Sequence, residues 1–340
     1  MDPDMNIVSG WTAGREIVIM DGSTVVAGPR RIRRSLGMMA ASAVVVAVTA
    51  CSTSSSGSTS NTAAGGGSKK ITVVAAENFW GSIAAQLGGD RVTVTSIIDN
   101  PDADPHDYEP TPADGRAIAG ARLFIDNGVG YDPWAAKLAA ANPVDGRTAL
   151  TIGDLVGTKD EDNPHRWYNP DDVTKVIDEV TADYKKIAPA DAGYFDQQRA
   201  SFTATTLKPY TDLIATIKKT YEGTPVGASE SIFAMQSPAL GLNLLTPQAF
   251  LRAISEGTDP TAADKATIDD QIKTRKIKVY VYNSQNSTPD VQRQVDAAKA
   301  ANIPVTAITE TLTPAGASFQ DWQVAQLESL RKALAQATGK

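Results

Sequence analysis

The chain contains two histidines, and each directly follows a proline, in the segments 104–107 (DPHD) and 163–166 (NPHR). Proline fixes its own φ and biases the residue before it toward extended backbone, so His106 and His165 each lie beside a stiffened stretch of chain. A single loop histidine is usually a solvated side chain, whereas neutral imidazole is also the commonest metal ligand in proteins. Two histidines in the same setting, in a chain that uses none elsewhere, indicate a pair of ligands.

The elements that must position these histidines follow an alternating pattern. From Lys70 onward, short β-branched runs alternate with longer helical stretches, which is typical of βαβ units and mainly parallel sheets. The predicted strands are 71–75, 92–98, 123–126, 149–152, 226–228, 244–245, 277–282 and 305–308. We therefore predict an α/β fold with two βαβ-type lobes. Both histidines belong to the first lobe, on loops near strand ends, and open α/β sheets bind ligands at the carboxyl ends of their strands.

A polar helical stretch lies between the two halves, at about 191–221. Its apolar residues keep roughly helical spacing and form one narrow stripe, consisting of Phe195, Phe202, Tyr210, Leu213, Ile214, Ile217 and Tyr221. This pattern is typical of a helix that bridges two domains, and Pro209 should kink it or divide it in two. We predict an N-terminal lobe at 70–188, a linking helix at 189–221 and a C-terminal lobe at 222–340.

The N-terminal region has the pattern of an export signal. Four arginines between positions 30 and 34 precede an uncharged run at 36–50, which is too short to span a bilayer comfortably. The only cysteine, Cys51, follows in a segment (48–51, VTAC) that looks like a bacterial lipobox, and residues 51–69 form a Ser/Thr/Gly tether. We expect lipidation at Cys51. We predict a signal region at 1–50. Within it, residues 1–29 do not have the pattern of a signal peptide, and we interpret them as the result of a wrongly assigned translation start.

Charge and cysteine content narrow the function classes. The chain carries 39 acidic against 32 basic residues, a formal net charge of -7. Nucleic-acid binding requires a basic face, so no nucleic-acid partner is expected. A single cysteine excludes disulfides and cysteine-based metal sites within the monomer, which is the expected state. A cation ligand is compatible with the charge but is not indicated by it alone.

Three segments together resemble a known family. The segments 76–83 (AENFWGSI), 105–112 (PHDYEPTP) and 163–170 (NPHRWYNP) are similar to the zinc and manganese solute-binding lipoproteins of bacterial ABC importers. The resemblance extends over almost all of residues 70–340. It implies two α/β lobes joined by a long helix, with one metal ion held in the cleft by two ligands from each lobe.

The same resemblance implies four ligands. His106 and His165 match the first-lobe positions. Glu230, in the segment 229–233 (SESIF), matches a position that carries His or Glu shortly before an aromatic residue. Glu310 opens the segment 310–312 (ETL), with Glu where Asp is more usual.

Elementary coordination chemistry supports this set. Divalent first-row metals accept imidazole nitrogen and carboxylate oxygen, and two ionised glutamates beside two neutral histidines would neutralise the ion. Other acids remain alternatives, although two of them have the pattern of turn or helix-start residues: Asp107, Glu109, Asp171 and Asp172. Four aromatic residues either wall the cleft or belong to the core, which we expect for most of them: Phe79, Trp134, Trp167 and Phe233.

The sequence leaves the identity of the metal open between manganese and zinc, with ferrous iron also compatible. Zinc members of the family tend to have a third histidine and a His-rich loop before the second ligand. The corresponding loop here is 159–162 (KDED), and carboxylate oxygens in place of imidazole favour manganese. The resemblance implies an ABC permease and its ATPase subunit as partners, and a lipid-anchored position outside the cytoplasm.

Two other functions compete with this interpretation. A metallohydrolase would need an open coordination position for water or substrate. The His-Glu-x-x-His motif of many such enzymes is absent from this sequence. Serine hydrolysis is not indicated, because the segment 227–231 (GASES) lacks the closing glycine of a nucleophile elbow. A surface adhesin, or a binder of an organic ligand on the same scaffold, remains a third interpretation. No phosphate-binding Gly-x-x-x-x-Gly-Lys motif occurs, so ATP hydrolysis would belong to a partner.

Overall fold

The computed structural model describes residues 69–101 and 108–340. Its strands are β1 (Ile71–Glu77), β2 (Val92–Ile98), β3 (Leu123–Asp126), β4 (Thr148–Thr151), β5 (Pro225–Ala228), β6 (Asn243–Leu244), β7 (Val279–Asn283) and β8 (Val305–Ile308). Its α-helices are α1 (Asn78–Gly88), α2 (Pro112–Ala119), α3 (Pro133–Ala141), α4 (Ile152–Val156), α5 (Pro170–Ile187), α6 (Ala192–Ser201), α7 (Lys208–Tyr221), α8 (Ser231–Gln236), α9 (Gln248–Ser255), α10 (Ala262–Lys273), α11 (Pro289–Ala300) and α12 (Phe319–Thr338).

The strands form two four-stranded sheets in which every described pairing is parallel. The N-terminal sheet has the order β2-β1-β3-β4, and the C-terminal sheet has the equivalent order β6-β5-β7-β8. Because all strands of a sheet run the same way, their carboxyl ends meet at one edge. The prediction of two parallel-sheet α/β lobes is confirmed.

The predicted strands occur in both sheets, with small shifts at five of them. β1 ends two residues later than predicted, and β5 begins one residue earlier. β4 and β6 each lie one residue earlier than predicted, and β7 begins two residues later and ends one residue later. The pairing of Asn283 with Ile308 carries β7 to this end point, so Asn283 is the last residue of a central strand. A polar residue directly after an apolar run gave no sign of this.

The helical stretch between the sheets is divided, as the proline predicts. A π-helical turn at Phe202–Thr206 separates α6 from α7, and the Leu207 amide donates to the Phe202 carbonyl at 2.7 Å. Pro209 has no amide hydrogen, and its ring would clash with the carbonyl four residues earlier in a regular α-helix. The apolar stripe on this stretch is buried throughout. The lobe boundaries 70–188, 189–221 and 222–340 remain predictions.

One apolar core contains residues of both sheets. Val73 and Ile125 of the N-terminal sheet belong to the same buried cluster as Val226 and Val281 of the C-terminal sheet. Two smaller clusters, one in each lobe, include Phe124 in the N-terminal lobe and Tyr280 in the C-terminal lobe. Parallel sheets are normally covered on both faces, so this layering is the expected one.

The export signal 1–50, Cys51 and the tether as far as residue 68 lie outside the described residues, as does His106. Among the helices of the described part, none combines the length and apolar character needed to cross a membrane.

Candidate metal centre

Three of the four predicted ligands lie together between the lobes. One side-chain atom each from His165, Glu230 and Glu310 lies within 4.8 Å of the other two. All three residues are buried, with exposed fractions of 0%, 1% and 3%. A histidine and two glutamates withdrawn from water at this spacing are a donor set for one divalent cation.

The C-terminal sheet delivers both glutamates from the ends of its strands. Glu230 follows the last residue of β5 by two positions, and Glu310 follows the last residue of β8 by two positions. Strand β7 lies between β5 and β8, so its last residue, Asn283, lies between the two ligand segments. The two carboxyl groups therefore converge because the strands that carry them are parallel and one strand apart.

The N-terminal lobe delivers His165 from the loop between α4 and α5. A short 3₁₀ turn at Arg166–Tyr168 follows it, and Asn169 then caps α5 by accepting from the amides of Asp171 and Asp172. The Nε2 atom of His165 lies 3.9 Å from Glu230 Oε1. Two metal–ligand bonds of about 2.0–2.2 Å span that separation, so one ion fits between the two atoms.

Asn163 determines which nitrogen of His165 faces the glutamate. Its Nδ2 donates to the Ser231 carbonyl at 2.7 Å, which orients its Oδ1 toward His165 Nδ1 at 2.8 Å. An amide oxygen can only accept, so Nδ1 carries the hydrogen and Nε2 presents its lone pair toward Glu230. This is the outer-shell arrangement that orients metal-binding histidines.

Neutral donors hold the two carboxyl groups in place. The Nδ2 group of Asn283 donates to both, at 2.7 Å from Glu230 Oε2 and 2.9 Å from Glu310 Oε1. Ser255 Oγ donates to Glu230 Oε1 at 3.2 Å, and Tyr131 donates to Glu310 Oε2 at 3.0 Å. Each carboxylate oxygen has at least one hydrogen-bond donor, so the pair is oriented before any cation arrives.

The two glutamates cannot both ionise easily when no cation is present. Burial, followed by the negative charge of Glu310, raises the pKa of Glu230 well above its usual range. A hydrogen bond to Glu310 raises that pKa further. Burial likewise raises the pKa of Tyr131, so this phenol remains a neutral donor. A divalent cation would take the place of a proton as the charge that balances the pair.

Aromatic rings enclose the histidine on the N-terminal side. Trp167 lies edge-on to the His165 ring at 5.2 Å between centroids, and Tyr131 lies at 6.0 Å. Phe79 stacks on Trp167 at 3.9 Å. Phe79 and Trp167 thus belong to the core and also wall the site. Phe233 and Trp134 lie in apolar clusters, as expected for core residues.

A second group of buried carboxyls lies in the N-terminal lobe. Glu77 ends β1, Asp126 ends β3, and Asp132 accepts from the amides of Asn127 and Gly128, both at 2.7 Å. Burial, followed by the charge of Asp132, raises the pKa of Glu77, and the same two causes raise the pKa of Asp126 to about 7. These groups hold protons at pH values where ordinary carboxyls are ionised.

A surface cavity lies beside the site. It has a volume of about 540 Å³ and is lined by both lobes, including Asn163 from one and Ser231 and Ser255 from the other. Ser231 Oγ lies 3.3 Å from His165 Nδ1 and 2.6 Å from Ser255 Oγ. Two hydroxyls therefore separate the cavity from the ligand atoms of His165 and Glu230.

With this geometry established, comparison with known proteins identifies the family. Residues 73–333 match the family described as "Zinc-uptake complex component A periplasmic". The chain belongs to this family. The resemblance found in the sequence motifs is confirmed.

Relatives of the family differ in the metal that their names give. The manganese ABC transporter substrate-binding lipoprotein PsaA of Streptococcus pneumoniae is 23% identical over 254 residues, which are 69% of this chain and 78% of PsaA. The zinc-binding lipoprotein AdcA of Streptococcus pneumoniae strain R6 is 24% identical over 286 residues. Those residues cover 74% of this chain but only 53% of AdcA, so AdcA extends well beyond the shared region.

A solved structure shows the same fold. The Mn-bound periplasmic metal binding protein of Candidatus Liberibacter asiaticus superposes with a TM-score of 0.66 at 19% identity. The match covers 78% of this chain and all of that one. At this identity the likeness establishes the family's two-lobed fold.

Three of the four alternative oxygen ligands, all within the described residues, lie outside the cluster. Asp171 and Asp172 lie in the first turn of α5, where Asp172 pairs with Arg166 and Lys175. Glu109 is exposed at the entry to α2, and Asp107 lies outside the described residues. Among the described acids that the sequence offered, Glu230 and Glu310 therefore lie with His165, whereas Glu109, Asp171 and Asp172 do not.

The motifs did not indicate the residues that support the ligands. Asn283, Tyr131 and Ser255 contact the glutamates, but none belongs to a segment that carries the family resemblance. Asn163 was part of a quoted segment without an assigned role. No motif marked Asn283 in the sequence, because its role depends on its place at the end of a central strand, where ligand sites gather in α/β sheets.

Proposed function

We propose that this protein is the substrate-binding component of an ABC importer and captures divalent manganese or zinc outside the cytoplasm. The observation that supports it most is the buried cluster of His165, Glu230 and Glu310, which takes ligands from both lobes. Membership of the family and the names of its relatives agree with this role.

The ligand set balances charge and donor type. We propose that His165 Nε2 and one oxygen each from Glu230 and Glu310 bind the ion. His106, which lies outside the described residues, is proposed as the fourth ligand. Two ionised glutamates neutralise a divalent ion, and imidazole suits zinc and manganese alike. Asn163 keeps His165 in the tautomer that binds through Nε2.

Manganese and zinc are both candidates for the ion that the protein carries. Two carboxylates and no third imidazole favour a cation that accepts hard oxygen ligands, which is why the sequence favours manganese. Zinc binds mixed nitrogen and oxygen sites more tightly by the usual affinity order, and ferrous iron is compatible with the same donors. Supply outside the cell and coordination geometry would then decide which ion is carried.

Release of the ion follows from the division of its ligands. His165 belongs to one lobe and both glutamates belong to the other, so separating the lobes removes one side of the ligand set. Hydrogen bonds such as Tyr168 to the Thr309 carbonyl at 2.7 Å oppose that separation. We propose that docking on the permease supplies the free energy to open the lobes, while the ATPase subunit drives transport.

Lipidation at Cys51 would tether the protein to the cell membrane. Cysteine follows the uncharged run directly and precedes a Ser/Thr/Gly tract, which gives the folded lobes a flexible connection. A tethered binding protein stays close to its permease at high local concentration.

A hydrolase or an adhesin would give different experimental results from the proposed importer. A metallohydrolase would turn over ester or peptide substrates when loaded with zinc, and Glu230→Gln would abolish that turnover. An adhesin would bind host surfaces equally well with and without metal. The proposed importer instead predicts loss of manganese or zinc uptake when the gene is deleted, restored by the parent chain but not by the Glu230→Gln variant.

Elemental analysis tests the proposed function directly. The purified protein is stripped with chelator, dialysed against equal manganese, zinc and ferrous iron under anaerobic conditions, and analysed after removal of excess metal. We expect about one equivalent of metal in the parent and in the exposed control Glu256→Gln, and little in Glu230→Gln. A parent protein without metal, or a Glu230→Gln variant that retains a full equivalent, would contradict the proposal.

A further inference from the structure

Asn283 is the residue that both glutamates of the site share. Its side chain is fully buried at the end of β7, and its single Nδ2 group donates to Glu230 Oε2 and to Glu310 Oε1. The two hydrogens of one amide group thus bind one oxygen of each carboxylate. The spacing of the two carboxyl groups is set by one planar side chain.

The orientation of that amide is fixed by its surroundings. The Gln285 backbone amide donates to Asn283 Oδ1 at 3.0 Å, so the oxygen faces away from the glutamates and Nδ2 faces them. The Asn283 backbone amide donates to Ser229 Oγ at 3.0 Å, next to Glu230 in the chain. Gln285 Oε1 also accepts from the Glu310 backbone amide at 2.6 Å. Rotating the Asn283 amide would break all of its side-chain hydrogen bonds.

Within the described residues, Ser255 and Tyr131 also donate to the glutamates, and their hydroxyl groups behave differently. Ser255 contacts Glu230 Oε1, but its hydroxyl also lies 2.6 Å from Ser231 Oγ and can turn toward it. Tyr131 contacts Glu310 Oε2 through a hydroxyl that can also reorient. Glu230 Oε1 and Glu310 Oε2 can therefore bind a cation once these hydroxyls turn away. The other two oxygens can bind a cation only if the hydrogen bonds of the rigid Asn283 amide break.

We propose that Asn283 is a positioning residue that makes Glu230 and Glu310 bind the ion through one oxygen each, and so favours zinc over manganese. This inference rests on the proposed function and names a determinant of its selectivity. Zinc is satisfied by four ligands in a tetrahedron, whereas manganese prefers about six, largely oxygen. Second oxygens from the two glutamates are the nearest source of extra ligands, and the amide withholds them. Asn283 thus opposes the preference for manganese that two carboxylates would otherwise give.

The test compares the zinc and manganese affinities of the parent with those of two variants. Asn283→Ala removes the donors, and Asn283→Asp removes them while keeping the shape of the side chain. Asn286→Asp is the matched control, because it makes the same change three residues along the chain at a side chain that donates to the Ile254 carbonyl. Dissociation constants are measured by competition with a chelator at one pH.

We expect both Asn283 variants to shift the ratio of zinc to manganese affinity toward manganese by about tenfold or more, within the range for outer-shell substitutions. X-ray absorption of the zinc-loaded forms should show more oxygen ligands in the variants than in the parent. If Asn283 had a merely structural role, its substitution would lower the affinity for zinc and for manganese equally. An unchanged ratio of the two affinities, with an unchanged number of oxygen ligands, would overturn the inference. A parent that binds neither metal would overturn the proposed function itself, and this inference with it.

Discussion

The Nε2 atom of His165 lies 3.9 Å from Glu230 Oε1, although the two residues belong to different lobes. Both side chains are buried, and the separation is one that a single metal ion can bridge. Asn163 contacts both sides of this pair, through His165 Nδ1 and the Ser231 carbonyl. The junction between the lobes and the proposed binding site are therefore the same place.

Asn163 should control metal affinity through the tautomer of His165. Replacing it with alanine removes the acceptor for Nδ1–H, so we expect metal affinity to fall roughly 10–100-fold. Asn163→Asp keeps an acceptor oxygen and should lose less. Competition titrations of both variants, beside Asn142→Ala as a control in the same lobe, measure this. Equal losses in the alanine and aspartate variants would show that the hydrogen bond to His165 is not the cause.

Metal affinity should fall as the pH is lowered. The pKa of Glu230 is raised by burial and by the charge of Glu310, so in the absence of metal the pair holds a proton at pH values where ordinary carboxyls are ionised. A metal ion must displace that proton, and lower pH favours the protonated form. Calorimetry in two buffers of different ionisation enthalpy should show release of about one proton or more per ion. Affinity that stays constant from pH 7.5 to 5.5 without proton release would contradict this expectation.

Asp126 should make the metal-free protein less stable as pH rises. Its pKa is raised from 3.8 to about 7 in the folded state, so the folded protein binds this proton more tightly than the unfolded chain. The contribution of Asp126 to the free energy of unfolding is therefore fully present below about pH 4 and is lost as the pH rises to about 7. The loss from Asp126 amounts to at most about 4 kcal/mol.

The variant Asp126→Asn isolates this contribution. The asparagine oxygen can still accept from Thr151 Oγ1, which lies 3.0 Å from Asp126 Oδ1. Urea unfolding in the presence of chelator should show a smaller loss of stability between pH 5 and 8 in this variant than in the parent. Asp269→Asn, at an exposed position, should behave like the parent. A parent and an Asp126→Asn variant with the same pH dependence would remove Asp126 as its source.

The strands were accessible from the sequence because each is a short β-branched run between turn residues, and the strands alternate with longer helical stretches. The break in the helix at Phe202–Thr206 was also accessible, since Pro209 removes a backbone donor in any helical context. Both features depend on local chemistry that a single sequence carries.

The supporting residues of the site were not accessible in the same way. Asn283 acts only because the order β5-β7-β8 places it between two ligand segments, and a strand order is a tertiary property. Tyr131 reaches Glu310 across the junction between the lobes. Single polar residues of this kind carry no periodicity and no motif, so their roles emerge only from the packed structure.

Cys51 provides a test of membrane tethering. If the cysteine is lipidated, the full chain expressed in a bacterial host should sediment with membranes, and Cys51→Ala should move it to the soluble or secreted fraction. Metabolic labelling with a fatty acid should mark the parent and not the variant. A parent chain that is unlabelled and soluble would contradict lipidation at this position.

The most direct measurement of the central claim is anomalous diffraction from crystals loaded with zinc or manganese, recorded on both sides of the metal absorption edge. The proposed site predicts one strong peak about 2.0–2.3 Å from His165 Nε2 and from an oxygen of each of Glu230 and Glu310. Crystals of Glu256→Gln should show the same peak, and crystals of Glu230→Gln should lose it. A peak bound elsewhere, or no peak in the parent at saturating metal, would contradict the assignment of this cluster as the metal site.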